Sequence, residues 1–118
     1  MTHIEIIYDN NIIIGFKMKG HAEFNLKGPD IICASLSTAS QMTVNGIIDW
    51  IGLDYSDVIV EQNQEKGILH VIIPEKLYCS SVVQQLFKSF VLFVEQLREQ
   101  YEDYVCLERR GVNDNKDK

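Results

Sequence analysis

The sequence predicts an α+β fold, a two-layer domain in which two helices pack on one mainly antiparallel sheet. Two observations carry this prediction. Two pairs of short β-branched runs are each joined by turn-forming residues, as in hairpins, and each pair is followed by a longer segment with apolar residues at helical spacing. The predicted order is ββαββα, with or without a short strand as the last element. Helices that pack on one face of such a sheet give a two-layer α+β domain.

The first hairpin is predicted near the N-terminus. Ile4 to Tyr8 is apolar and β-branched, and Asp9-Asn10-Asn11 has turn chemistry. Ile12 to Lys19 is the returning strand, and Gly20 breaks the pattern.

The first helix is predicted from about Cys33 to Trp50, because the apolar spacing changes there to that of a helix. Gly52 stands where a helix C-terminus is expected. Small residues fill the first turns and would allow a close neighbour. One face carries Leu36, Ser40, Val44, Ile47, Ile48 and Ile51.

The second half repeats the arrangement. Tyr55 to Glu61 and Gly67 to Ile73 read as two strands, and Ser80 to Tyr101 has the clearest helical periodicity. A short strand over Tyr104 to Leu107 would close the sheet. We expect one domain over residues 1–108 and a polar C-terminal tail over 109–118, since 118 residues is the size of one domain.

Charge and composition limit the function classes. The net charge is −6, which disfavours a nucleic-acid binder because such proteins need clustered Lys and Arg. We expect no membrane-spanning segment, because no apolar run approaches the roughly 20 residues that span a bilayer. The N-terminal residues lack the basic-then-apolar pattern of a signal peptide, so we expect a cytoplasmic protein without membrane association.

The cysteines predict free thiols. Cys33, Cys79 and Cys106 are odd in number and widely spaced, unlike a disulfide framework. Neither CxxC nor HxxxH spacing occurs, so no metal site is predicted. His3 and His70 lie in strand-like segments and are interpreted as sheet residues.

The candidate chemistry is a pairing of His21 with Cys33, twelve positions later. A free thiol titrates near a pKa of about 8.5, so a cysteine nucleophile needs a base or positive potential. If the helix starts at Cys33, its N-terminus supplies that potential, His21 accepts the proton, and the amides of Cys33 and Ala34 hold an oxyanion. The alternative is a cysteine that merely packs at a helix start.

Three neighbouring features stay open at this stage. Asp30 would cap the helix or, less simply, orient His21. Ser37, one turn after Cys33, would bond the imidazole or only pack between helices. Residues 22–29 contain Gly28 and Pro29 and are interpreted as a mobile loop over the site, with Phe24 and Leu26 closing on substrate or packing beneath it.

The block from Gly20-His21-Ala22, through Lys27-Gly28, to Asp30-Ile31-Ile32-Cys33-Ala34-Ser35-Leu36-Ser37 closely resembles the ribosomal-processing cysteine protease family, Prp. The likeness continues through Val44-Asn45-Gly46 and Leu53 to Gln100-Tyr101. Pro29, Asn25 and Leu26 depart from the family pattern at the edge of the loop.

The resemblance implies a small bacterial endopeptidase that removes the N-terminal extension of a large-subunit ribosomal protein. It implies that His21 and Cys33 are catalytic, that the protein is a homodimer, and that no cofactor is needed. Two alternatives remain: a non-catalytic ribosome-assembly or interaction module with a structural Cys33, and a thiol hydrolase or transferase acting on a small molecule.

Overall fold

The computed structural model describes residues 1–20, 27–63 and 65–112, and for residues 27–30 it describes the backbone only. Strands β1 and β2 cover Thr2–Asp9 and Ile12–Lys19, and helix α1 covers Lys27–Ile51. Strands β3 and β4 cover Ile59–Asn63 and Ile68–Ile72. Helix α2 covers Ser81–Gln100, and β5 covers Val105–Gly111.

The five strands form one mixed sheet in the order β3-β4-β2-β1-β5. All neighbours are antiparallel except β1 and β5, which run parallel with Thr2 opposite Val105. The predicted α+β fold and the order ββαββα(β) are therefore confirmed. The last strand extends three residues (109 to 111) into the segment assigned to the tail.

The core lies between the sheet and the two helices. Phe16 on β2 is fully buried, and its ring meets Phe87 edge-on at 6.4 Å and Phe90 at 4.5 Å between centroids. Other buried members come from every layer and include Ile4, Ile6, Ile32, Leu36, Ile47, Val71, Val83 and Val94. This core holds α1 and α2 on the same face of the sheet.

The β1–β2 hairpin contains an irregularity that α2 stabilises. The register shifts between Ile7 and Tyr8, as a β-bulge does. The Gln84 side chain then donates to the carbonyl of Ile13 at 2.8 Å and accepts from its amide at 3.0 Å. One residue of α2 thereby satisfies both backbone groups of Ile13, next to the bulge.

The second hairpin is shorter than predicted. Tyr55–Asp57 is a 3₁₀ turn, and β3 starts only at Ile59. The cause is local: the Asp57 carboxylate accepts from the Asp54 amide at 2.8 Å, and the Asp57 amide donates to the Asp54 carbonyl at 2.9 Å. Such side-chain bonds compete with strand pairing.

Residues Ile31–Ile51 of α1 are long and apolar enough to cross a bilayer by length and composition alone. The expectation that no stretch reaches this length does not hold for α1. A core helix passes the same test, and α1 places Ile32, Leu36 and Ile47 in the core. Its end was predicted correctly, since Gly52 has a φ of +77° and follows the last turn.

Candidate active site

Cys33 is half-buried on α1 and lines a cavity of about 260 Å³. The cavity lies where α1 passes the ends of β1 and β2 and the hairpin formed by β3 and β4. Its walls are Thr2, Met18, Gly20, Leu36, Ser37, Ser40, Gln41, Gln62, Asn63, Gly67, Ile68 and Leu69. The candidate nucleophile therefore borders a space that substrate can enter.

The start of α1 corrects the sequence interpretation of this site. The helix begins at Lys27, so Cys33 is its seventh residue (27 to 33) and not its first. Only the first four amides of a helix lack a helical acceptor, so the amides of Cys33 and Ala34 are not free oxyanion donors. The prediction that they bind an oxyanion is wrong.

Pro29 explains the misplaced helix start. A proline is compatible with a loop, but in the first turn of a helix its missing amide costs nothing and its φ is already helical. Residues 27–29 consequently belong to α1 and not to a loop. Asp30 is the fourth helical residue, so the interpretation of Asp30 as the N-cap is also wrong.

His21 and residues 22–26 lie outside the described residues, and so does the predicted loop up to Leu26. The residue before His21 is described. Gly20 lines the Cys33 cavity and donates from its amide to the carbonyl of Gly67 at 3.1 Å. The chain is therefore held at the rim of the cavity at the position where His21 follows.

A side chain at position 20 would not fit without strain. The φ of Gly20 is +135°, and a Cβ there would lie 2.5 Å from the carbonyl oxygen of Met1. Because this oxygen belongs to the backbone, it cannot move aside as the end of a flexible side chain could. The exit of the chain from β2 toward His21 is thus set by a tight backbone contact.

The described polar groups that line the Cys33 cavity are neutral. Ser37 lines the cavity, as its position one turn after Cys33 predicted, and its carbonyl accepts from the Ser40 hydroxyl at 2.9 Å. Asn63 accepts from the Lys66 amide at 3.0 Å, which fixes the hairpin turn. None of the described lining residues carries a formal charge.

Sequence reasoning missed the contribution of the β3–β4 hairpin, because Gln62 and Asn63 lie far from Cys33 along the chain. Asn63 had turn chemistry as its only local signal. Nothing in the local pattern indicated that this turn would face α1.

The other thiols differ from Cys33 in their surroundings. Cys79 is exposed. Cys106 lies on β5, and its Sγ donates to Glu108 Oε1 at 3.6 Å. Burial, followed by this hydrogen bond and the Glu108 charge, raises the pKa of the Cys106 thiol. Cys106 is therefore poorly suited to act as a thiolate.

Within residues 1–20, 27–63 and 65–112, no group of three His, Cys, Asp or Glu side chains lies close enough to hold a metal ion. All three cysteines are free thiols. His3 and His70 lie on β1 and β4, which confirms their assignment to the sheet.

The sequence profile of the family described as cysteine protease Prp matches residues 1–106. The chain belongs to the cysteine protease Prp family. It is also 26% identical, over 93 residues, to the ribosomal processing cysteine protease Prp of Bacillus subtilis (strain 168). That alignment covers 77% of this chain and 80% of the relative.

Solved structures show the same fold. A protein of Streptococcus mutans superposes with a TM-score of 0.78 at 25% identity, over 94% of this chain and 95% of its own. The essential ribosomal processing protease Prp of Staphylococcus aureus, in complex with a substrate peptide, gives a TM-score of 0.76 at 20% identity. The match covers 93% of this chain and all of that one.

The Val44-Asn45-Gly46 block has a structural role in this family fold. Val44 is buried, and Asn45 accepts a hydrogen bond from the Tyr55 hydroxyl. Gly46 faces α2, where an added Cβ would lie 3.3 Å from Leu86 Cδ1. These three residues fix α1 against its neighbours about three helical turns beyond Cys33.

Proposed function

We propose that this protein is an endopeptidase that removes the N-terminal extension of a large-subunit ribosomal protein, with Cys33 as nucleophile and His21 as general base and acid. The observation that carries the proposal is that Cys33 and Gly20 line one cavity. Gly20 precedes His21 in the sequence, so the described chain leads from that cavity wall to the candidate base.

The reaction follows the chemistry of thiol acyl transfer. Cys33 Sγ attacks the scissile carbonyl carbon while the His21 imidazole takes the thiol proton. The imidazolium then protonates the leaving amine, and a thioester remains on Cys33. Water, deprotonated by the same imidazole, attacks the thioester and releases the new carboxylate and the free thiol. The cycle balances without a cofactor, and we propose none.

The substrate class agrees with the charge of the protein. The relatives are named for ribosomal processing, and the chain carries a net charge of −6. Opposite charge accelerates the encounter of an acidic enzyme with a basic ribosomal-protein precursor. A bacterial source and a cytoplasmic location, where ribosomes assemble, belong to the same proposal.

We also propose that the protein acts as a homodimer. A groove of about 640 Å³ runs between α1 and α2, with polar atoms forming only a small part of its lining. Ile31 and Met42, at its rim, are 57% and 70% exposed. Exposed apolar surface of this kind is typical of a protein interface. A second copy of the chain would cover it on the side of α1 away from the sheet.

The decisive experiment measures cleavage of the purified ribosomal-protein precursor by mass spectrometry. Cys33→Ala is expected to lower kcat at least about a thousand-fold, because neither of the other two thiols, Cys79 and Cys106, lines the cavity. His21→Ala is expected to fall to a similar level. Cys79→Ala, an exposed thiol outside the cavity, serves as the matched control and retains full activity.

The rate of alkylation by iodoacetamide distinguishes the proposed protease from the alternative, a non-catalytic interaction module. In a working dyad Cys33 is labelled faster than Cys79, and His21→Ala removes that advantage. Cleavage by Cys33→Ala at the parental rate, or equal labelling of Cys33 and Cys79, would contradict the proposed mechanism.

A further inference from the structure

The Thr2 hydroxyl stands apart from the other buried hydroxyls. Within the part of the chain that the structure describes, the buried polar side chains are Thr2, Ser40 and Thr43. Ser40 donates to the carbonyl of Ser37 at 2.9 Å, and Thr43 donates to the carbonyl of Ala39 at 2.8 Å. The Thr2 hydroxyl forms no hydrogen bond with any described residue, although Thr2 is only 7% exposed. Because buried hydroxyls are normally hydrogen-bonded, we expect this one to have a further partner.

The side chain of Thr2 lies on the face of the sheet that carries the helices. Side chains alternate between the two faces of a strand, and Ile4, two residues later, is buried in the core under α1 and α2. Thr2 and Cys33 line the same cavity. A substrate that enters this cavity to reach the thiol therefore meets the Thr2 side chain.

The position of Thr2 is fixed by its neighbours. Its amide donates to the carbonyl of Tyr104 at 2.9 Å, and it lies opposite Val105 in the pairing of β1 with β5. A Cβ on Gly20 would lie only 3.0 Å from the Thr2 Cα, so the two backbones are in close contact. A β-branched side chain also has few rotamers. A donor held in this way needs no reorganisation when negative charge develops beside it.

The other polar side chains around the cavity are less suited to stabilise a developing charge. Ser37 and Gln62 are exposed, so water competes for their donor groups. The Asn63 side chain is bonded to its own hairpin turn. Gln41 follows Cys33 by eight residues, which is about 12 Å along the helix axis. Thr2 is therefore the buried donor of this cavity whose proton is not already used by a described residue.

Attack by Cys33 on the scissile carbonyl produces an oxyanion that needs a hydrogen-bond donor. The amides of Cys33 and Ala34 cannot serve, because they lie beyond the first turn of α1. We propose that the Thr2 hydroxyl is this donor, which makes Thr2 a further catalytic residue of the protease. Thr2 forms and breaks no covalent bond; its proton stays on the hydroxyl and bonds the carbonyl oxygen of the tetrahedral intermediate. The inference rests on the proposed function, because the oxyanion arises only when Cys33 attacks a carbonyl.

Two substitutions at position 2 separate the hydroxyl from the shape of the side chain. Thr2→Val keeps the β-branched shape and removes the hydroxyl, whereas Thr2→Ser keeps the hydroxyl and is the matched control. With a peptide that spans the processing point, Thr2→Val is expected to lower kcat about a hundredfold and to change KM less than about twofold. Thr2→Ser is expected to recover at least about a tenth of the parental kcat, since the donor is present again.

Two further measurements distinguish an oxyanion donor from a residue that only supports the thiol. Iodoacetamide reacts with Cys33 by displacement at a saturated carbon, which forms no oxyanion, so Thr2→Val is expected to be alkylated at the parental rate. A peptide aldehyde adds to the thiol and gives a tetrahedral hemithioacetal that resembles the intermediate. Thr2→Val is expected to raise the Ki of the aldehyde about a hundredfold and to leave unchanged the Ki of the matching peptide alcohol, which cannot add.

The outcomes separate this inference from the proposed function. If the wild type cleaves, the assignment of Thr2 is overturned by parental kcat in Thr2→Val, by alkylation that falls as far as kcat, or by an aldehyde Ki that depends on Ser37→Ala and not on Thr2→Val. The protease then remains. If nothing is cleaved but the aldehyde binds in a manner that depends on the Thr2 hydroxyl, the donor stands and the proposed function fails. If nothing is cleaved and the aldehyde does not bind, both are overturned.

Discussion

The two long helices pack side by side on one sheet, yet they are built for different tasks. Helix α2 starts at a Ser80 cap whose hydroxyl accepts from the Val83 amide at 3.3 Å, and it buries large side chains such as Phe87 and Phe90. Helix α1 carries the candidate nucleophile among small residues and leaves Ile31 and Met42 exposed. Both helices contribute to the core, but α2 buries the larger side chains, whereas α1 carries the candidate nucleophile and part of the exposed apolar surface.

Truncation of a core ring in α2 should have the largest effect on stability. Phe87→Ala removes the edge-on contact with Phe16 and leaves a cavity, so we expect a loss of about 3–5 kcal/mol. Met42→Ala, on the exposed face of α1, is expected to change stability by less than about 0.5 kcal/mol. Urea denaturation followed by circular dichroism measures both, and equal losses would contradict the placement of Phe87 in the core and of Met42 on the surface.

The second largest expected effect is on self-association, which a charge on the exposed face of α1 should weaken. Met42→Glu places a carboxylate at the proposed dimer face, and we expect the dimer to dissociate at least about tenfold more readily, since that charge would be buried without a partner. Leu92→Glu, on an apolar residue of α2 that is 56% exposed and does not line the groove, is the control. Sedimentation velocity over a concentration series reads the outcome; a dimer unaffected by Met42→Glu places the interface elsewhere.

Removal of the cap of α2 should cost less. Ser80→Ala leaves the Val83 amide without its side-chain acceptor, and we expect a loss of about 1 kcal/mol in the free energy of unfolding. Gln85→Ala, within the same helix and exposed, should stay within about 0.5 kcal/mol of the parent. A Ser80→Ala protein as stable as the parent would show that another group supplies the cap.

The smallest expected effect is the pH dependence of stability that His70, on strand β4, contributes. Burial, then the charges of Lys17 and Arg110, lower the pKa of His70 below its ordinary 6.5, although Glu61 and Glu5 oppose the shift. The unfolded chain then binds the proton more readily, so His70 reduces stability as the pH falls below 6.5.

Urea midpoints at pH 7.5 and 5.5 measure this contribution. The parent is expected to lose more stability between the two values than His70→Gln, whereas His3→Gln, an exposed histidine on β1, should behave as the parent. An equal loss in parent and His70→Gln would show that other groups carry the pH dependence.

The order of elements could be predicted from the sequence because each depends on local periodicity and on punctuation such as Gly52. The start of α1 could not, because Pro29 is compatible with both a loop and a first helical turn. The 3₁₀ turn at Tyr55 was missed for a similar reason, since its β-branched neighbours resembled a strand while Asp54 and Asp57 formed a competing bond. The local sequence pattern does not distinguish between two local structures when both are compatible with the same residues.

Only the reactive residues of the site could be predicted from the sequence. Cys33 and Ser37 were identified and lie at one cavity. The hairpin residues Gln62 and Asn63 complete that cavity through the pairing of β4 with β2, which no local pattern reveals. The contact between His21 and Cys33 remains a prediction.

The parallel pairing of β1 with β5 has a consequence for how the protein comes to be folded. Thr2, which borders the Cys33 cavity, lies opposite Val105, 103 positions later (2 to 105). Contacts so distant in sequence form slowly. During synthesis, β1 has no partner on one side until the last strand has left the ribosome, and that edge is exposed to other chains in the meantime. Completion of the sheet therefore awaits nearly the entire length of the chain.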